Sequence, residues 1–259
     1  MEDREWSTSA GRSAPTLLPA SRSEVSAPAA NAALMRSLGR LVRGLSALFW
    51  GLPAALVVCF HAVKSDGFKS FGAIPPLACT GLLAYGLWQL GAFQKQERVW
   101  RRALDRATLL ALINFGLSPF LYWSSRVPDN PFFSAMVLLM VGSSLLFLAS
   151  LNLVLQRLGA MLPDEALRQE TRQFTWLNLA LLLATFLVSG VYLVVRQLPH
   201  LPLYVETVIR ALSDRGNFWF FVMMIPLVLL PLAMTMALLW KTKEVILENV
   251  FESGRPSTG

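Results

Sequence analysis

The chain has 259 residues, of which 54% are hydrophobic and only 15% charged, and its formal net charge is +7. Soluble domains carry about 25% charged residues, so this composition excludes an ordinary water-soluble fold. The basic excess comes with neither an aromatic-interleaved groove nor a zinc knuckle, and no nucleic-acid partner is expected from it.

The amino end, residues 1–43, holds no apolar run of signal-peptide length, so no cleavable signal is expected. From Ser7 to Ala33 it is rich in Ser, Ala and Pro and poor in bulky apolar residues, which predicts that 1–43 is a disordered cytoplasmic tail. Six apolar stretches follow, at 44–63, 70–94, 107–125, 130–156, 173–195 and 216–240, none of them containing Asp, Glu, Lys or Arg. About 20 residues suffice for a helix to cross a bilayer. Runs such as Leu179-Ala180-Leu181-Leu182-Leu183-Ala184 are apolar all the way round, and nothing alternates with period two. The fold class is therefore all-α: a polytopic bundle of six transmembrane helices over 44–240, with short amphipathic interfacial helices and a short cytoplasmic tail at 241–259.

In the first span Ala47, Gly51 and Ala55 stand four apart, a spacing that lets helix backbones approach closely. Pro53, Pro75, Pro76, Pro119, Pro226 and Pro231 each remove a backbone donor and are expected to kink their spans. Between the second and third spans, Gln94 to Arg106 sets Val99, Trp100, Ala103 and Leu104 at helical spacing, mostly opposite Lys95, Arg98, Arg101, Arg102 and Arg106. A basic amphipathic helix with a Trp on its apolar face belongs at the headgroups, so Lys95, Arg98, Trp100, Arg101, Arg102 and Arg106 are the expected lipid-surface contacts. Their partners would be anionic lipid headgroups at the cytoplasmic face. The plainer reading is a topology signal at the solvated end of a span.

In the third span Asn114, Gly116, Ser118 and Pro119 mark the most irregular backbone at membrane depth. Leu90-Gly91-Ala92 recurs as Leu158-Gly159-Ala160 at the ends of two spans, but three small residues recur too easily by chance to establish a duplication. Pro163, with Asp164 and Glu165 behind it and Arg168 and Arg172 further on, predicts another short helix. In the fifth span Ala180 with Ala184, and Thr185 with Ser189, repeat the small-residue spacing. The connection 196–216 predicts an interfacial helix opened by Pro202, with Val205, Val208, Ile209 and Leu212 on one face.

Leaving aside Arg4, Arg12 and Arg22 far out in the amino-terminal tail, fourteen Lys and Arg fall on one side of the six spans (Arg36, Arg40, Arg43, Lys95, Arg98, Arg101, Arg102, Arg106, Arg157, Arg168, Arg172, Lys241, Lys243, Arg255) against six on the other (Lys64, Lys69, Arg126, Arg196, Arg210, Arg215). The positive-inside rule then puts both termini in the cytoplasm and the protein in a cytoplasmic membrane.

Chemistry is sparse. No span holds a carboxylate or a fixed cation for ion coupling, His61 and His200 lack a third ligand, and Cys59 and Cys79 have no CxxC partner. Gly142-Ser143-Ser144 has the look of an intramembrane nucleophile, yet no later span supplies a His to act as its base. No enzyme, cofactor or metal is expected. Two readings remain. One is a structural, assembly or regulatory membrane protein acting through lipid, another membrane protein or a second copy of itself. The other is a permease or channel for a neutral or lipid-like molecule, lined by Asn114, Ser118, Asn152 and Asn178, with Ser189 and Thr235.

Overall fold

The computed structural model describes residues 27–64, 71–93, 98–161, 165–197 and 225–248. The chain divides into two units, Met1–Arg36 and Ser37–Gly259. Of the first, the described part is helix from Ala27 onward, and the packing below concerns the second. The described residues form seven helices and no strand: α1 (Ala27–Lys64), α2 (Ile74–Leu90), α3 (Arg98–Leu117), α4 (Pro119–Arg126), α5 (Pro131–Met161), α6 (Glu165–Gln197) and α7 (Ile225–Glu248).

Among the described residues, five stretches are long and apolar enough to cross a membrane: Met35–Ala62, Arg98–Arg126, Pro131–Met161, Thr171–Val191 and Ile225–Glu248. The expected second span, 70–94, forms only the 17-residue α2. Pro75 and Pro76 do not kink it, because they occupy its first turn, where a missing N–H costs nothing.

Several boundaries differ from those read in the sequence, each for a local reason. Residues 27–43, expected in the disordered tail, are helical: five of the first seven are Ala, and Pro28 sits at the start, where it is tolerated. The basic segment is not a separate interfacial helix. From Arg98 nothing breaks the helix before Gly116, so it forms the first turns of α3 and runs directly into the apolar stretch. The segment around Arg168 is likewise the start of α6, which meets neither Gly nor Pro until Gly190. The expected break at Ser118 and Pro119 is present and separates α3 from α4. The predicted helix at 196–216 lies outside the described residues apart from its first two positions, as do Lys95 and His200.

Leu41, Leu45, Leu48 and Leu52 repeat at 4-3-4 spacing on α1 and pack with Leu83, Leu87 and Leu90 of α2, so the two helices run antiparallel. Between them glycine faces glycine. A Cβ added to Gly44 would lie 2.8 Å from the carbonyl oxygen of Gly86, and one added to Gly86 would lie 3.1 Å from that of Gly44. α5 is central: it packs on α3, α4 and α6, while α3 also packs on α2. Trp100, Leu104, Ala107 and Ala111 of α3 join Leu151, Val154, Leu155 and Leu158 of α5 in the same core.

The inside-outside pattern is that of a membrane protein. Among the described side chains of α6 the buried ones are Thr171, Thr175, Asn178, Leu182 and Thr185, while Trp176 is 71% and Leu183 58% exposed. Water would favour the reverse; hydrocarbon favours this arrangement.

Substituting Gly86→Ala should cost about 1–3 kcal/mol, because its methyl meets Leu48 and the Gly44 backbone. Gly39→Ala has open space around it and should be neutral or slightly stabilising. Thermal unfolding of the two variants in one detergent checks the contrast.

Candidate functional site

Two buried polar clusters and one basic rim contain most of the residues singled out from the sequence. The first cluster joins α3 to α5. Asn114 presents its Oδ1 to the hydroxyls of Ser143 and Ser144, the Ser144 contact being 3.3 Å. Each serine proton is shared with the Met140 carbonyl, at 3.0 and 2.8 Å. Ser143 and Ser144, which in the sequence suggested a nucleophile, act as donors to a neighbouring helix. Ser118 is fully buried but does not join this cluster. Its hydroxyl donates to the Phe115 carbonyl at 2.8 Å, the oxygen left without an i+4 donor because Pro119 has no N–H.

The second cluster knots α5, α6 and α7 together. Asn152, Asn178 and Thr235 are all fully buried. The Asn178 amide N–H group donates to Asn152 Oδ1 at 2.9 Å, to Thr235 Oγ1 at 2.9 Å and to the Pro231 carbonyl at 3.2 Å. Asn152 donates to Thr235 Oγ1 at 3.0 Å and to the Leu148 carbonyl at 2.8 Å, and Thr235 donates to the Pro231 carbonyl at 2.7 Å. Pro231 also leaves the Leu227 carbonyl without a helical donor, and Thr185 of α6 reaches it at 3.1 Å. Beside the two clusters, Ser118 and Thr185 thus repair two proline breaks, each with a hydroxyl side chain.

Amides and hydroxyls neither titrate near neutral pH nor carry a fixed charge, so these groups supply no general base and no ion-coupling site. Their chemistry is hydrogen bonding. It is not fully closed: Asn178 Oδ1 and the hydroxyls of Thr171 and Thr175 are buried without partners, in a row along one face of α6. The sequence reading missed Thr171 and Thr175. Their signal was the 4-3-4-3 spacing of residues 171, 175, 178, 182 and 185, a polar stripe on an otherwise apolar helix.

The basic rim lies at one end of the bundle. Arg98, Arg101, Arg102 and Arg106 are exposed on α3, level with Arg157 at the end of α5, Arg168 and Arg172 at the start of α6, and Lys241 and Lys243 at the end of α7. Arg168 caps the end of α5, donating to the Ala160 carbonyl at 2.9 Å. Trp100 departs from its expected role. It is 1% exposed and packs in the core, so it offers no ring to lipid, and its indole N–H has no partner. The reason is rotational: Trp100, Leu104, Ala107 and Ala111 share one stripe of α3, and in the continuous helix that stripe faces the bundle. Among the described residues no three His, Cys, Asp or Glu side chains gather as a metal site.

Asn152→Leu and Thr235→Val should each lower stability by about 1 kcal/mol, in line with interhelical hydrogen bonds in membranes, and the double variant should cost less than the sum. A double-mutant cycle by reversible unfolding in mixed micelles measures the coupling, and strict additivity would dissolve the knot.

Compared with known proteins, the chain matches no family model, no curated sequence and no solved structure.

Proposed function

We propose that this chain is a six-span protein of the cytoplasmic membrane, with both termini in the cytoplasm. In this reading it acts as a structural, assembly or regulatory component through contacts with lipid and with another membrane protein or a second copy of itself. It carries out no catalysis and uses no cofactor.

The sixth span is α2. Its 17 residues extend about 25 Å at 1.5 Å each, near the lower limit for a crossing. α1 and α3 both carry their arginines at their amino-terminal ends, so the segment between them has to return through the bilayer. The rim of Arg and Lys at one end of the bundle supports a cytoplasmic placement of that end.

One observation carries the functional reading: the polar side chains at membrane depth are spent on the protein itself. Asn114, Ser118, Asn152 and Thr235 bond to helix neighbours or to carbonyls freed by proline, as groups that hold a bundle together do. A permease or channel for a neutral or lipid-like molecule is the second reading, favoured by the unpartnered row of Thr171, Thr175 and Asn178 Oδ1 on α6.

Co-purification from the native membrane in nanodiscs, followed by mass spectrometry, tests the first reading. The expected result is a protein partner, or a second copy, in stoichiometric amount, retained by Asn152→Leu and weakened when Arg98, Arg101 and Arg102 are changed together to Gln. A chain that comes alone, with Thr175→Val abolishing its cellular function at unchanged expression, would favour the permease instead.

A further inference from the structure

At the basic end of the bundle a narrow surface groove between α1 and α7, with a cavity volume of only about 20 Å³, is lined by Leu45, Ser46, Phe49, Trp50, Leu239, Trp240 and Lys243. Its floor is leucine and its walls are aromatic. The Phe49 ring lies 5.7 Å from Trp240 and 5.3 Å edge-on from Trp50, and the Lys243 ammonium lies 5.7 Å from the Trp240 ring centre. Trp50 and Trp240 each keep more than half their surface exposed.

We infer that this groove binds one anionic phospholipid, with its phosphate on Lys243 and Arg43, its glycerol backbone beside Ser46, and its acyl chains along Trp50 and Trp240. Charge and depth both argue for that occupant. Trp belongs at the level of the headgroups, so the aromatic walls place the groove where phosphate meets acyl chain. Lys243 sits one turn beyond Trp240 on α7, and Arg43, exposed, lies nearly in line with Trp50 two turns away on α1. Two helices thus bring two cations to the headgroup end of a slot whose other end is apolar. Basic pockets between transmembrane helices are where anionic headgroups bind. The neighbouring acid on α7, Glu244, is exposed and stands about 100° around the helix from Lys243, whose ammonium lies over the Trp240 ring. The cation–π contact holds the ammonium over the indole edge of the slot instead of leaving it to roam in water.

The site deepens the lipid-contact half of the proposed function without needing a protein partner. Its test uses the full chain, reconstituted in nanodiscs of equal parts phosphatidylcholine and phosphatidylglycerol, then released and read by native mass spectrometry for retained lipid. One phosphatidylglycerol per chain is expected to survive release. Lys243→Gln and Arg43→Gln should each lower its retention about fivefold, Lys243→Arg should preserve it, and Arg126→Gln at the other end of the bundle should leave it unchanged. Arg43 is exposed, so its variant decides the matter even if Lys243→Gln fails to insert. Equal retention of the two lipids, an equal loss in Arg126→Gln, or displacement of the lipid by inorganic phosphate alone would each overturn the site. A chain that brings a partner protein with it but shows no lipid preference would fail this site and leave the assembly reading standing.

Discussion

The hydrogen-bond knot of Asn152, Asn178 and Thr235 ties three helices at a point where no water competes for their bonds. In hydrocarbon the apolar faces gain nothing by leaving lipid for protein, so van der Waals fit and a few interhelical hydrogen bonds have to hold the bundle. The rest of the structure follows from that shortage. Thr185 reaches across to a carbonyl that Pro231 has orphaned, and Ser118 repairs the gap that Pro119 leaves within its own segment. Where no hydrogen bond is available, backbones approach directly, as at Gly44 and Gly86.

The same economy explains why the buried polar residues read poorly as a catalytic site. A nucleophile needs a base, and a coupling site needs a charge that can be gained or lost. Amide and hydroxyl groups offer neither, and each bond they make inside the bundle is one fewer offered to a ligand. The exception is the row of unpartnered oxygens on α6, where Thr171, Thr175 and Asn178 retain acceptor capacity that the protein leaves unused. Among the described residues, that row, the Trp100 indole N–H and the groove between α1 and α7 are places where the molecule is chemically unfinished.

Charge is distributed by the opposite logic. The arginines of α3 and α6 were expected to mark separate surface helices, but they belong to the first turns of helices that continue into the apolar stretch. A continuous helix has a single rotational setting. Once the stripe of Ala107, Ala111 and Asn114 faces the bundle, Trp100 and Leu104 have to face it too, and Arg98, Arg101, Arg102 and Arg106 are turned outward. A Trp beside a cluster of Arg therefore became a core residue, because the span it belongs to determines which way it points.

Much was legible from residue order alone. Long uncharged runs demand a helix wherever water is absent, so the helical class, the membrane setting and the break at Ser118 and Pro119 could all be read without coordinates. Asn114, Ser118, Asn152 and Asn178 were likewise recognisable, since a polar side chain in an apolar run has to turn inward. What the tertiary structure alone decided is who meets whom. The pairing of Asn114 with Ser143, of Asn152 with Asn178 and Thr235, and of Gly44 with Gly86 depends on the depth and rotation of two helices at once. Local periodicity fixes the face of one helix and says nothing of its neighbour, so these contacts exist only once the bundle is assembled.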